Sequence, residues 1–355
     1  MKALLEKAMQ SQIKRPTLIN KYQSMFKTIR IMDSTEFKLP EKFYSTFPGF
    51  NDDGSYSCAQ IQFEYDLFSG VIQNISLNGA IKSDRAVAHE VMSSELEGSL
   101  IIRDLGYYNL GVYNELIKRN IFFISRLHPQ IKIYQKVEAD YFELTHKKIE
   151  YLLKRNKGKY LDIPVYIGKE AKIPVRLTAN LVSKETSERR IKKYKKKMRT
   201  IDKEEIVQSK INLFVTNVED KNFTADELYN LYKIRWQIEL VFKTWKSIIK
   251  INKIGKLNEP RLICYLLGKL LWILVCWDMY RYHNNRLWKD NRTLISVYKF
   301  YALIQLEVEN LRILFLSESF KIKLWFTKYC ERIILFAKKE NKKGRIPLEK
   351  LMNLI

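Results

Sequence analysis

Apolar and polar side chains alternate in the first third of the chain. Residues 59–66 and 71–77 follow this pattern, which is typical of β-strands with one buried face. Residues 28–35 come before them and are rich in β-branched and bulky apolar side chains. Because only a short link with Gly70 separates the two alternating stretches, we expect an antiparallel meander of three strands.

Two more apolar runs, at 99–104 and 121–127, predict short buried strands. Helical patterns are predicted at 83–94, where Ser83 can cap the first turn, and at 109–118. The predicted order β-β-β-α-β-α-β indicates a mixed α/β core.

The character of the sequence changes along the rest of the chain. Strand patterns separated by Lys- and Gly-containing turns follow the core, and a long helical pattern runs from Thr224 through Ile249. Beyond Pro260 most of the chain is apolar and compatible with helix. The expected division is an N-terminal arm at 1–25, the first part of the core at 26–127, a β-rich insertion at 128–211, the second part of the core at 212–258 and a helical C-terminal region at 259–355.

Residues 262–277 form a continuous apolar run interrupted only by Gly268 and Lys269. A membrane-spanning helix needs about 20 apolar residues and rarely carries a central Lys, so we expect a buried core helix, with a membrane span as the alternative. The first fifteen residues mix charges with apolar residues and predict no secretory signal.

The composition adds a strong positive charge. Lys and Arg number 63 against 39 Asp and Glu, so the formal net charge is +24, and the isoelectric point is near 9.6. Polyanions, and nucleic acid first among them, are the natural partners of such a chain. The four cysteines never form a Cys-x-x-Cys pair, so a disulfide scaffold or a structural zinc site is not expected, and a reducing cytoplasm fits.

Residues 189–199 form a dense positive run, with eight basic residues in eleven. Such a run is either a solvated helix face or mobile loop, or an arm that follows DNA phosphates. The second interpretation makes Arg189, Arg190, Lys192 and Lys193 candidate DNA-binding residues.

Two carboxylates stand at strand ends. Asp33 follows the apolar residues of the first predicted strand, and Asp104 ends the run at 99–104. A carboxylate beside a buried strand is costly unless it is paired, hydrogen-bonded or bound to a metal. An Asp at such a position is more often a turn residue. The two together indicate a functional site only if a third acidic residue joins them.

The long helical pattern supplies that partner. At about 100° per residue, six polar side chains fall within an arc of about 80°. They are Tyr232, Arg235, Glu239, Lys243, Lys246 and Lys250. A single carboxylate among cations suits a Glu that binds a metal while its neighbours hold phosphates, and an ion-paired surface helix is the alternative.

Carboxylates from separate elements are what a two-metal phosphoryl-transfer site requires, because hard divalent ions prefer oxygen ligands. Asp33, Asp104 and Glu239 are therefore the candidate catalytic and metal-binding residues, with two ions expected. The four histidines are scattered, and neither a G-x-x-x-x-G-K loop nor a G-x-S-x-G motif occurs.

The spacing Tyr232-x2-Arg235-x3-Glu239-x6-Lys246 resembles the Y-R-E-K signature of the insertion sequence 4 family of bacterial DDE transposases. Asp33 in MDST and Asp104 in RDLGYY match the first two acidic residues of that family's triad, in the right order. The resemblance covers the chain from roughly residue 29 to its end.

This resemblance implies a ribonuclease H-like catalytic core, Mg²⁺ or Mn²⁺ as the cofactor, and cut-and-paste DNA transposition through hairpin ends. It also implies that Tyr232, Arg235 and Lys246 contact DNA near the transposon end, and Lys243 and Lys250 of the same stripe would hold phosphates. The expected partners are double-stranded DNA of the transposon ends and of the target, bound by a homodimer. The expected location is the bacterial cytoplasm at the nucleoid, with no membrane partner.

Two features depart from the family. Asp33 comes close to the start of the chain, where family members usually carry an N-terminal DNA-recognition domain, so a shortened copy is one expectation. All six tryptophans lie at or beyond Trp236, so the insertion has no Trp to stack on a flipped base. A nuclease of the same fold that lacks strand transfer and an inactive DNA-binding remnant are the alternatives.

Overall fold

The computed structural model describes residues 1–12, 21–51, 54–81, 97–156, 160–198, 201–219, 223–315, 319–341 and 346–352. The helix predicted at 83–94 lies outside these residues. The chain forms two compact units, the first made of Met1–Ser24, Arg30–Lys82 and Ile234–Ile355 and the second of Met25–Ile29 and Ser83–Lys233. Both units combine strands with helices, so the expected α/β class is confirmed.

The first unit is built on four strands at its N-terminal end. They are β1 (Ile29–Lys38), β2 (Pro48–Asn51), β3 (Gly54–Asp66) and β4 (Ile72–Gly79). The long strand β3 pairs with the other three, and each pairing is antiparallel. The predicted meander is confirmed, and the short strand β2, which the sequence pattern did not indicate, extends it.

The register of β1 determines where Asp33 points. Asp33 lies opposite Phe63 in the antiparallel pairing of β1 with β3, and directly opposite residues project from the same face of a sheet. On that face the buried Phe63 ring packs edge-on against Trp245 and Phe242, with ring centroids 4.9 Å and 6.2 Å away. This aromatic cluster holds the segment that carries Glu239 against the strand that carries Asp33.

Loss of this cluster is expected to unfold the site. Trp245→Ala should lower the free energy of unfolding by about 3–5 kcal/mol, because Trp245 is fully buried and its removal leaves a cavity. Chemical denaturation followed by circular dichroism measures the loss. Trp236→Ala is the control, since Trp236 is 48% exposed and should cost less than about 1 kcal/mol. Equal losses for the two variants would contradict this role of the cluster.

The helices are numbered in chain order over the described residues. They are α1 (Lys2–Gln10), α2 (Leu110–Lys118), α3 (His146–Arg155), α4 (Lys184–Met198), α5 (Lys203–Lys210), α6 (Ala225–Lys233), α7 (Trp236–Thr244), α8 (Glu259–Asn291), α9 (Val297–Leu306), α10 (Val308–Phe315), α11 (Ser319–Phe336) and α12 (Leu348–Leu351). The region beyond Pro260 is therefore helical in its described part, as the sequence predicts.

Helix α8 contains the apolar run at 262–277. By length and composition alone it could cross a membrane, and 44% of its most apolar window is buried inside the protein. Core helices of soluble proteins pass the same test, so this is weak evidence for a membrane. Trp277 of α8 donates from Nε1 to the carbonyl of Gly70 (2.8 Å), and the carbonyl of Ile273 accepts from the Tyr301 hydroxyl (3.0 Å). These contacts support the interpretation of α8 as a core helix.

The second unit has its own set of strands. They are β5 (Leu100–Arg103), β6 (Phe122–Arg126), β7 (Ile133–Val137), β8 (Asp140–Glu143), β9 (Leu161–Ile167), β10 (Ile173–Leu181) and β11 (Ile211–Thr216). Their order in the sheet is β5-β6-β11-β10-β9-β7-β8. The pair β5/β6 is parallel, and the other pairs are antiparallel.

The segment predicted as a β-rich insertion contains α3, α4 and α5 as well as four strands. The sequence pattern predicted no helix at α3, because the helix is short and its lysines interrupt the helical spacing of apolar residues. Its buried face consists mainly of Ile149 and Leu153, and the Thr145 hydroxyl caps it by accepting from the amide of Lys148 (3.3 Å). The turn between β7 and β8 contains Glu138, which has a φ of 54°.

The helix predicted from Thr224 through Ile249 is not continuous, and this prediction is wrong. Helix α6 ends at Lys233 and α7 begins at Trp236, with tight bonds from the Gln237 amide to the Ile234 carbonyl (2.8 Å) and from the Ile238 amide to the Arg235 carbonyl (3.1 Å). A π-helical turn (Trp245–Ile249) then ends at Lys250, whose φ is 52°. The six polar residues of the predicted stripe therefore do not share one helix face.

Candidate active site

Arg235 joins two of the three candidate catalytic carboxylates. Its Nη1 donates to Oδ2 of Asp33 (2.8 Å) and its Nη2 donates to Oε1 of Glu239 (2.5 Å). The three side chains are 15%, 17% and 32% exposed for Arg235, Asp33 and Glu239, so the ion pairs are partly shielded from solvent. One guanidinium thus brings together two carboxylates from distant parts of the chain.

The backbone around these residues explains the geometry. The amide of Ser34 donates to Oδ1 of Asp33 (2.8 Å), which leaves Oδ2 directed at Arg235. Arg235 and Glu239 are four residues apart at the start of α7, so their side chains meet on the same helix face. The aromatic cluster of Phe63, Phe242 and Trp245 seats this face beside β1.

An open cavity of about 560 Å³ adjoins the two carboxylates. Its described lining combines Asp33, Ser34, Thr35, Glu239, Phe242, Lys243, Lys246 and Ser247. Two of the lysines predicted to bind DNA therefore lie next to the candidate catalytic residues, and a phosphate near the carboxylates would meet their positive charge. Ser34, Thr35 and Ser247 were not singled out by the sequence patterns.

Lys243 and Lys246 differ in their surroundings. Lys243 is exposed, whereas Lys246 is half-buried and donates from Nζ to the carbonyl of Glu36 (2.8 Å). Burial lowers the pKa of the Lys246 ammonium, and the neighbouring Glu36 and Cys58 oppose that shift. The Lys246 ammonium is therefore anchored at the wall of the cavity.

Asp104 belongs to the second unit, where it directly follows the buried strand β5. It is half-buried and occupies the N-cap position of the short 3-10 turn Leu105–Tyr107, but its side chain makes no capping hydrogen bond. The strand-end position predicted from the sequence is confirmed. Its membership of a triad with Asp33 and Glu239 stays a prediction.

The carboxylate oxygens of Asp33 and Glu239 are of the kind that divalent cations bind. Among the described residues of either unit, no three acidic, histidine or cysteine side chains are close enough to form a metal site. Asp33 and Glu239 nevertheless offer the hard carboxylate oxygens that Mg²⁺ and Mn²⁺ prefer, and both bind one positive group, Arg235. In this structure the guanidinium of Arg235 binds one oxygen of each carboxylate.

Two members of the predicted stripe have other surroundings. Tyr232 belongs to α6 in the second unit and is buried, with its ring 5.0 Å from that of Phe214. Lys250 is exposed, and its carbonyl accepts from Nζ of Lys269 (2.6 Å). The burial of Tyr232 restricts its access to DNA, whereas the ammonium of Lys250 is accessible.

The basic run forms the second half of α4, apart from Arg199, which lies outside the described residues. Arg189, Lys192 and Lys193 are exposed, as a DNA-binding face requires. Arg190 is half-buried instead and donates to the carbonyls of Ser209 (3.3 Å) and Ile211 (3.1 Å) and to Oδ1 of Asn212 (2.6 Å). Arg190 therefore also has a structural role.

Comparison with known proteins places these features in a family. The family model described as "Transposase DDE domain" matches residues 24–275. The transposase of insertion sequence element IS231D from Bacillus thuringiensis subsp. finitimus is 32% identical over 90% of this chain and 69% of its own length. The IS231F transposase of Bacillus thuringiensis subsp. israelensis is also 32% identical, over 84% of this chain and 66% of its own.

A transposase from another bacterial genus is also similar to this chain. The IS1151 transposase of Clostridium perfringens is 30% identical over 71% of this chain and 57% of its own length. A solved structure of the piggyBac transposase synaptic complex with hairpin DNA aligns with a TM-score of 0.44 and 10% identity, over 97% of this chain and 62% of that chain, which is too distant to inform the fold. The chain spans about two thirds of the IS231 relatives and less of the IS1151 transposase. From the matched family model and these relatives, the chain belongs to the DDE-domain transposases of bacterial insertion sequences.

Proposed function

We propose that this chain catalyses the DNA cleavage and strand transfer of cut-and-paste transposition, with Asp33, Asp104 and Glu239 as its acidic triad. The observation that carries the proposal is the convergence of Asp33 and Glu239 on Arg235, beside a cavity with two lysines. In this proposal the core is ribonuclease H-like, formed by 26–127 and 212–258, and residues 128–211 are inserted into it.

Divalent metal ions are part of the proposal, with Mg²⁺ or Mn²⁺ held by the oxygens of Asp33, Asp104 and Glu239. Two such ions would supply the positive charge that activates an attacking oxygen and stabilises the displaced one. Water or a DNA 3′-hydroxyl is the attacking group, so no nucleophilic side chain is required.

The cations around the site are proposed to position the DNA. Lys243 and Lys246 line the same cavity as the two carboxylates, so their ammonium groups attract a phosphodiester toward the reacting centre. Arg235 balances the negative charges of Asp33 and Glu239 before cations bind. Once cations are bound, its guanidinium can donate two hydrogen bonds to a DNA phosphate. Lys250 and Tyr232 are further candidate contacts with the transposon end, and Tyr232 would first have to become accessible.

Lys246→Ala is expected to weaken binding to double-stranded DNA several-fold and to lower the salt dependence by about one phosphate contact. The reason is that Lys246 supplies one fixed positive charge at the cavity wall. Fluorescence anisotropy at several salt concentrations measures both quantities. Lys256→Ala, at an exposed position, is the matched control. A salt slope that is the same for Lys246→Ala and the parent would remove Lys246 from the DNA-binding set.

A donor DNA with the element's ends tests the proposed function directly. With Mg²⁺ or Mn²⁺ the chain should cut at the ends and join them to a target plasmid, and a chelator should stop both reactions. Cleavage without joining would favour a nuclease of the same fold. Binding without any cleavage would favour an inactive DNA-binding remnant. We place this activity in a homodimer on DNA, in the bacterial cytoplasm at the nucleoid and with no membrane partner.

A further inference from the structure

The second unit contains a cavity of about 360 Å³. Its lining includes Arg126, Arg190, Lys193, His146 and Tyr194, and no Asp or Glu is among the described residues that line it. A cavity with three permanent cations and no lining carboxylate has a positive interior. Such a cavity favours an anion.

The Arg190 guanidinium is held in place without being neutralised. Its hydrogen bonds go to two backbone carbonyls and to the amide oxygen of Asn212, which are neutral acceptors. These bonds use Nη1 and Nη2 and fix the plane of the group, so its orientation is set before any ligand arrives. No carboxylate pairs with Arg190 within the described part of the chain.

Arg126 brings a second positive charge to the same place. It is the last residue of β6, is half-buried, and forms no ion pair with a described residue. Burial lowers the pKa of Arg190, and the positive charge of Arg126 lowers it further, because the two guanidinium groups repel each other. Like charges in a partly desolvated site cost free energy unless an anion lies between or beside them.

The acidic groups nearby serve other partners. Glu204 is within 3.2 Å of Nδ1 of His146, and its side chain is 66% exposed. Glu204 and Glu143 line a neighbouring cavity, where Glu143 pairs with Lys132. The charge of the arginine pair is therefore left for a ligand.

We propose that this cavity binds a phosphate group, with Arg126 and Arg190 as its principal ligands and Lys193 at its mouth. Lys193 is exposed, and Lys192, Lys195 and Lys196 continue the positive charge outward along α4. A charge that extends beyond the cavity suits a polyanion, so the group is a phosphodiester of DNA. The choice of DNA as its source rests on the proposed function, whereas binding of the phosphate group does not.

The first arm of the test uses inorganic phosphate and pyrophosphate as probes. Either anion should raise the thermal midpoint of the parent chain in a saturable manner. Arg126→Gln should weaken the apparent affinity for the anion at least about tenfold, because a charged, forked contact is lost. In phosphate-free buffer the same variant should be at least as stable as the parent, since repulsion of Arg190 is relieved. Lys169→Gln, at an exposed position of the second unit that does not line the cavity, should keep the anion affinity within about twofold.

The second arm uses a short double-stranded oligonucleotide. Arg126→Gln should weaken DNA binding about tenfold, and added pyrophosphate should compete with DNA for the parent but not for this variant. Arg126→Lys keeps the positive charge but loses the two-pronged hydrogen bonding of a guanidinium. Its DNA affinity should therefore lie between those of the parent and Arg126→Gln. Unchanged DNA affinity in Arg126→Gln would reduce the site to an adventitious ion only, and unchanged anion affinity would overturn it entirely.

The outcome is separable from that of the proposed function. Metal-dependent cleavage by the parent with no effect of Arg126→Gln on either probe would overturn this inference alone. Loss of phosphate and DNA binding in Arg126→Gln, in a chain that never cleaves DNA, would support the phosphate site and overturn the proposed catalysis.

Discussion

Glu239→Gln is expected to lower the rate of metal-dependent DNA cleavage at least about a thousandfold while leaving DNA affinity equal or slightly raised. The amide keeps the size of the side chain and its hydrogen bond from Arg235 but removes the charge that a hard cation requires. Removal of one anion beside Lys243 and Lys246 also reduces repulsion of DNA phosphates. Cleavage of an end-labelled donor DNA and anisotropy binding, measured side by side, separate the two effects.

The control for this experiment is Glu309→Gln. Glu309 is 76% exposed and pairs with Arg312 three residues away, so cleavage and binding should both match the parent. Parental cleavage by Glu239→Gln would mean that the carboxylate pair on Arg235 is an ordinary ion pair of the fold. A parallel loss of cleavage and DNA binding would instead indicate that the variant is misfolded or that Glu239 acts in binding.

Arg235→Gln should destabilise the metal-free chain by about 2–3 kcal/mol, and Mg²⁺ or Mn²⁺ should recover most of that loss. Without the guanidinium the carboxylates of Asp33 and Glu239 lose the positive group that both bind, and partial exposure keeps the cost below that of a fully buried charge. A cation no longer competes with Arg235 for these oxygens, so metal affinity should rise.

Thermal denaturation with and without divalent metal measures this exchange. Arg235→Lys keeps one positive charge but cannot bridge two carboxylates with a fork, so its metal-free loss should be smaller. Arg312→Gln, at a position that is 72% exposed, should show no metal dependence beyond that of the parent. An Arg235→Gln deficit that is the same in both buffers would contradict competition between the guanidinium and a metal.

Much of the first unit was predictable from local pattern. The strands around Asp33 and Phe63 were recognised because alternation over a few residues reflects one buried face, which the fold preserves as β1 and β3. Glu239 was identified through the family resemblance and the polar positions around it. Both inferences depend on residues close together in the chain.

The helix break between α6 and α7 was not predictable in this way. Ile234 and Arg235 are ordinary helix formers with no Gly or Pro between Thr224 and Ile249, so propensity favours a continuous helix. In the fold, Tyr232 packs in one compact unit while Trp245 is buried in the other. Packing of the two ends in different units overrides a local preference worth only tenths of a kcal/mol per residue, about 0.1–0.7.

The basic run at 189–199 likewise shows that local sequence cannot predict the surroundings of a charged residue. Its density predicted four DNA-binding candidates, but composition cannot distinguish exposed Arg189 from Arg190, which donates to the carbonyls of Ser209 and Ile211. Arg126 was not predicted, although it is the last residue of β6 and the predicted Asp104 directly follows β5. A search for cations at strand ends could have found it.

By itself, the sequence determined the α/β class, the positive charge and the family of this chain, because alternation, composition and motif spacing are carried by short stretches or by sums over residues. Only the tertiary structure decided that Asp33 and Glu239 share Arg235, which is 202 residues from Asp33, and that Arg126 and Arg190 line one cavity. The physical reason is that contacts between distant residues depend on strand register and on the packing of buried rings such as Phe63 and Trp245. Neither of these is encoded in any local window of residues.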